Sequence, residues 1–342
     1  MMMKRFGALV VGLGFCLSAG AQADKHYSMF AESPMHINPA AAGFHPAHLQ
    51  VFTNFRYQWM TASDEPFRTN SGSLDWRFTS ANSGPFLAAG LMFTNDQAGA
   101  SGFTTNQFSV PIAYAIELNK DNHLSVGLQP GFYQRTLSTN SLTWDNQWQG
   151  LDFNPSIDPG ETATAVGAQV SAFDLGAGIF WYANVSKQFR VSLGLSGQHL
   201  TKQKIGYYSA EDKLFRKATI HGQFEYIVDG TGLAIQPAFM AFVQGPNKEI
   251  TLGSQFRWHL RGESRSTGHF DDIHFGIGAF YRTRDALMVN MIIEFGGLGI
   301  GANYDLNMSG LTVATGGVGA MEFFLRWRME FGGRHLSNPL IH

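Results

Sequence analysis

The segment EITLGSQFRWHL, residues 249–260, repeats with a period of two. Ile250, Leu252, Ser254, Phe256, Trp258 and Leu260 form one set, in which only Ser254 is not large and apolar. Glu249, Thr251, Gly253, Gln255, Arg257 and His259 form the other, with no large apolar member. A period of two places alternate side chains on opposite faces of an extended strand. The apolar face must then be covered, either by a protein core or by lipid.

The same alternation recurs in HLSVGLQPGFYQR (123–135), RVSLGLSGQHL (190–200), DIHFGIGAFYR (272–282) and AMEFFLRWRMEF (320–331). About fourteen such segments are predicted, near 49–58, 69–78, 85–95, 104–117, 123–135, 170–182, 189–199, 216–228, 232–243, 249–260, 272–282, 286–296, 299–308 and 320–331. Most are longer than the roughly five or six residues of a soluble strand and match the roughly nine to eleven of a tilted membrane strand. Loops after odd-numbered strands are longer than those after even-numbered ones, with RGESRSTGHFD (261–271) as the exception. Long loops on one side and short turns on the other suit a bacterial outer-membrane barrel. A closed barrel also pairs every backbone N–H and C=O, as lipid demands. The expected fold is therefore all-β: a transmembrane outer-membrane barrel of about 14 antiparallel up-and-down strands. A soluble double sandwich is the alternative, and it would need a second layer of which the sequence shows no sign.

In the barrel reading Ile250, Phe256 and Trp258 face lipid, while Gln255 and Arg257 face the interior. Aromatic pairs near strand ends (Tyr57 with Trp59, Trp76 with Phe78, Trp181 with Tyr182) suit interfacial girdles, or serve simply as good strand formers. The polar face is expected to line a lumen wider than side chains alone fill.

Composition agrees. Charged residues are 15% of the chain against about a quarter in ordinary soluble proteins, with 39 Gly and 29 Phe. Lys4 and Arg5, an apolar run to Gly20 and AGA at 19–21 read as a signal peptide cut after Ala21, with Ala23 as an alternative. The predicted organisation is a signal peptide (1–21), an N-terminal periplasmic segment (22–48), the barrel (49–331) and a C-terminal tail (332–342). Cys16, the only cysteine, lies in the signal peptide, which leaves the mature chain no thiol chemistry. A net charge of −2 gives no electrostatic footprint for nucleic acid.

Enzyme and cofactor signatures are weak. No G-x-S-x-G elbow, P-loop or H-E-x-x-H occurs. Ser196 and His199 fall on opposite faces of one predicted strand and make no triad. His36, His45 and His48 match no common metal spacing, and the acidic loop TWDNQWQGLDFNPSIDPGE (143–161) lacks the alternation of an EF-hand. The glycine-dense segments DLGAGIFWY (174–182) and EFGGLGIGANYDL (294–306) precede no helix, so they are no dinucleotide fingerprint. No enzymatic activity, cofactor or metal is expected.

The stretch after the signal peptide, HYSMFAESPMHINPAAAGF (26–44), resembles the start of the PorP/SprF family, outer-membrane proteins of the type IX secretion and gliding-motility machinery of Bacteroidota. The resemblance continues through NFRYQW (54–59), GLMFTNDQAG (90–99), LSVGLQPGFYQR (124–135), SAFDLGAGIFWY (171–182), GLSGQHLT (194–201), YRTRDALMV (281–289), ANYDLNMSGL (302–311) and Glu322. The tail at 332–342 departs from the family pattern. Family-motif positions carried by this chain are Asn38, Pro39, Gly43, Arg56, Asp96, Gln129, Arg135, Asp174, His199, Asp285, Asp305 and Glu322. The resemblance implies a non-enzymatic barrel that binds a secreted cell-surface protein, of adhesin type, with a type IX C-terminal signal domain. It also implies coupling to ring and lipoprotein components. Asn38–Pro39 would lie at the periplasmic rim, meeting those components or tucking into the barrel; from the residues alone it is a turn before strand one. Other readings are a porin or transporter for small solutes, and an outer-membrane hydrolase.

Overall fold

The computed structural model describes residues 24–61, 65–78, 84–99, 102–137, 143–158, 160, 169–206, 212–261, 273–310 and 312–331. The expected signal peptide and C-terminal tail lie outside the described residues, as does nearly all of the 261–271 loop.

Fifteen strands run in order: β1 Leu49–Gln58, β2 Phe67–Arg77, β3 Phe86–Ala98, β4 Phe103–Ser109, β5 Ile112–Asn119, β6 Asn122–Thr136, β7 Gln169–Asn184, β8 Phe189–Gln198, β9 Lys217–Val228, β10 Leu233–Gln244, β11 Asn247–Arg261, β12 Ile273–Arg282, β13 Ala286–Phe295, β14 Leu298–Asn307 and β15 Val318–Met329. Every pairing is antiparallel, and β1 pairs β15 from Leu49↔Met329 to Gln58↔Ala320, which closes the barrel.

β4 and β5 together make one wall strand, so fourteen strands circle the barrel. Both pair with β3 and β6, and the register is continuous across the break. The gap falls at Val110–Pro111, where proline supplies no N–H to the ladder. The Val110 N–H still reaches the Pro130 carbonyl at 2.9 Å, and the Gly90 N–H reaches the Pro111 carbonyl at 2.8 Å. The predicted strand at 104–117 is thus corrected to two pieces of one strand.

The predicted facing holds along β11. Ile250 is 49% and Phe256 39% exposed on the outer wall, whereas Gln255 is buried in the interior. β15 behaves alike: Phe323, Leu325 and Trp327 point out, and Glu322, Phe324 and Arg326 are buried inside. Two girdle assignments fail, Tyr182 on parity and Trp59 because it follows the end of β1 with φ +58. Tyr182, next to outward Trp181, points inward and is buried, and Trp59 lines an interior cavity. Trp76 and Phe78 do face outward, stacked with centroids 5.5 Å apart.

β1 starts and β15 ends at the same rim, which also carries the short turns at 120–121, 185–188, 229–232 and 296–297. Chain ends and short turns mark the periplasmic rim of an outer-membrane barrel. The opposite, outer rim carries the long connections at 137–168, 199–216 and 308–317.

Candidate functional site

The lumen is not empty. Residues 24–48 run through it from the outer half to the periplasmic rim, where the chain enters β1. Nearly all of this segment from Ser28 on is buried. It forms three single-turn 3-10 helices, Phe30–Glu32, Pro34–His36 and Pro39–Ala41. Pro34 and Pro39 begin two of these turns, where a missing N–H costs nothing; further along a helix each would break it.

Three polar hubs fix this plug. The outermost centres on Ser28. Its hydroxyl donates to Asp305 at 2.9 Å and accepts from Arg56 at 2.5 Å and Arg282 at 2.8 Å. Arg56 also bridges Asp305 and Glu322, each at 3.1 Å. Glu322 accepts the backbone N–H groups of Ser28 and Met29 at 2.7 and 3.0 Å, and the Asn54 amide at 2.9 Å. Arg282 further meets Asp285 at 2.8 Å and Glu249 at 3.6 Å.

The middle hub is Asn38, fully buried. Its side-chain oxygen caps the Ala40 N–H at 3.0 Å, and its amide donates to the Ile179 carbonyl at 2.9 Å and approaches His221 Nε2 at 3.2 Å. The wall makes room through glycine. A Cβ on Gly178 would sit 2.0 Å from the Asn38 oxygen, and one on Gly127 would sit 2.4 Å from the Ala40 nitrogen. Ser196 and Gln198 of β8 donate to the plug carbonyls of Ile37 and His36 at 2.7 and 3.3 Å. Ser196 is therefore a strut for the plug. Just below, Gly43 takes φ +78 and gives its N–H to Asp75 at 2.9 Å.

The periplasmic hub is Glu32. It accepts from Arg257 at 2.9 Å and Arg326 at 2.6 Å, and Glu294 of β13 pairs with the same two arginines. Burial raises the Glu32 carboxyl, but Arg257 and Arg326 outweigh it and hold the group below the usual carboxylate range. His36 has no such partner, and burial drives it down to about 4. His199, just beyond β8, goes the other way. Burial opposes its charge, yet Asp174 at 2.9 Å and Asp24 at 3.2 Å push it up to about 9.

The structure thus gathers Arg56, Asp285, Asp305 and Glu322 into the outer hub, Asn38, Pro39 and Gly43 into the plug, and Asp174 and His199 into one pair. Gln129 stands apart, donating to Ser109 at 3.0 Å. Asp96 and Arg135 line an outer cavity of about 340 Å³ walled by Trp59, Phe67, Phe103 and Tyr133. The guanidinium of Arg135 lies 4.7 Å over the Phe103 ring. The three histidines weighed as a metal group go to separate neighbours: His36 to Ser33, His45 to Asp75 and His48 to the Phe331 N–H. Sequence reading missed Ser28, Glu32, Arg282, Glu294 and Arg326 as site residues. For Arg282, Glu294 and Arg326 the signal was charge on the inward face of a strand, which burial forbids without partners; Ser28 and Glu32, outside any strand, gave none.

A closed antiparallel barrel with an apolar outer wall and a lumen filled by its own N-terminal segment defines a plugged outer-membrane barrel. Within that class the chain belongs to the PorP/SprF family of type IX secretion system membrane proteins, whose model matches residues 19–327. No curated protein matches the chain. Among solved structures, the toluene transporter TbuX of Ralstonia pickettii aligns with TM-score 0.50 and 10% identity over 87% of this chain and 94% of its own. A FadL homologue of Pseudomonas aeruginosa aligns with TM-score 0.46 and 10% identity over 86% and 93%. TbuX shares the barrel fold. Family and fold together place the chain in the outer membrane, and neither is an enzyme class.

Proposed function

We propose that this barrel is a non-enzymatic binding component of the type IX secretion system that receives a segment of a secreted surface protein at its outer mouth. The observation that carries the reading is the plug. A lumen filled by residues 24–48 is built to hold rather than to conduct. The space it leaves outermost is the aromatic cavity around Trp59, Phe103 and Arg135, suited to the side chains of a polypeptide. Export or anchoring of that protein, with ring and lipoprotein components below, completes the role.

The test is purification of the tagged chain from its native outer membrane in mild detergent, with mass spectrometry of what accompanies it. One secreted protein bearing a type IX signal domain should co-purify, and Trp59→Ala with Arg135→Glu should release it. In a planar bilayer the parent barrel should be silent. A barrel recovered alone that conducts small ions would overturn the reading in favour of a porin.

A further inference from the structure

A second cavity, of about 160 Å³, lies at the periplasmic end between the plug and the wall. By the same measure a single water needs only about 10–15 Å³. Its lining is apolar at Phe44, Phe180 and Tyr182, and charged at Arg257, Arg326 and Arg328.

The three arginines are not equally partnered. Arg257 and Arg326 already occupy both carboxylates, Glu32 and Glu294. Arg328 gives its Nε–H to Gln50 at 2.9 Å, and its one carboxylate contact among the described residues is Glu294 at 3.8 Å. Three guanidinium groups thus share two carboxylates. Of the other charged groups on the cavity wall, Arg190 pairs with Glu225, while Asp75 meets His45 and the Gly43 N–H and adds a carboxylate to the wall. Arg328 is therefore the guanidinium on this wall with no close carboxylate partner among the described residues, and its planar fork is shaped for an oxyanion.

We propose that this cavity is a binding site for a monoanionic carboxylate carried on a compact apolar group, as at the C-terminus of a polypeptide ending in an apolar residue. A carboxylate matches the planar fork of Arg328, whereas a phosphate dianion would bring a second negative charge close to Glu294 and Asp75. The apolar wall takes the side chain, and the position faces a periplasmic partner. This site is separate from the outer cavity and stands whether or not a secreted protein binds there.

The probes are N-acetylphenylalanine, its amide, octanoate and inorganic phosphate, titrated by calorimetry into the purified full-length barrel. The free acid should bind saturably, and the amide at least ten-fold more weakly. Arg328→Gln should weaken the acid about ten-fold, and Arg328→Lys, which keeps the charge without the fork, by less. Unchanged heat-modifiability on gels would show both variants folded. Octanoate binding more tightly than the aromatic acid would reassign the source from a peptide to a lipid-derived acid. Equal binding of acid and amide, tighter binding of phosphate, or a parent-like Arg328→Gln would overturn the site.

Discussion

The two ends of the plug are held by the same kinds of side chain and yet differ in kind. At the outer hub the Ser28 hydroxyl and both Glu322 oxygens are saturated by donors and acceptors from the plug, β1, β12, β14 and β15. At the periplasmic hub Glu32 is also saturated, but Arg328 beside it is not, and a cavity adjoins it. A buried ionic cluster whose carboxylates are fully bonded acts as a fixed anchor; one bordered by a cavity and by an arginine without a close carboxylate has room for something more. The plug is thus pinned at both hubs, and the periplasmic one adjoins free space beside Arg328.

The comparison can be broken most sharply at Glu322. Glu322→Ala leaves Arg56 short of a partner and two plug N–H groups unbonded, and should destabilise the barrel by about 3–5 kcal/mol in urea unfolding from lipid vesicles. A loss below about 1 kcal/mol would show that the outer hub is no anchor. Phe256→Arg, on the outer face of the wall and pointing away from both hubs, should cost about 2–4 kcal/mol at mid-membrane depth. It should leave the protease resistance of residues 24–48 untouched, which separates failure of the wall from failure of the plug. Glu32→Gln should cost less, about 1–3 kcal/mol, because Arg257 and Arg326 keep Glu294. If it exceeds Glu322→Ala, the order of the two ends is reversed.

The smallest effects are set by pH. His199, raised to about 9, adds stability that is complete below about 6.5 and lost as pH rises through 9. His36, lowered to about 4, adds stability that is present above about 6.5 and lost as pH falls towards 4. Melting curves of His199→Gln and His36→Gln against the parent should therefore diverge in opposite directions with pH. Parallel curves would remove both assignments.

The wall was legible in the sequence because its physics is local. A period of two fixes the face of each residue, so Phe256 and Gln255 fell where expected, and fourteen strands could be counted. Local reasoning failed at strand ends, by a step of parity at Tyr182 and by a left-handed backbone just past β1 at Trp59, where an aromatic signals position and not direction. The plug was far less legible. Residues 24–48 have no periodicity, and their partners lie far off in sequence, as Ser28 does from Glu322. Asn38–Pro39 read as a turn, which it is, but nothing local says that the turn sits against Gly178 inside a barrel. The inward charges of Arg257, Arg282 and Arg326 were the available clue, since burial obliges each to gather carboxylate partners, which come from the wall and, for Arg257 and Arg326, also from Glu32 of the plug.

The seam between β1 and β15 has a consequence for how the molecule is made. β15, the last strand among the described residues, supplies Glu322 to the outer hub and Arg326 to the periplasmic one. Until it docks, neither end of the N-terminal segment has its full set of partners and the cylinder stays unsealed. Biogenesis therefore couples enclosure to occupancy: a nascent chain truncated before β15 loses the seam and the plug's grip in one stroke, leaving quality-control proteases an exposed N-terminal segment to seize.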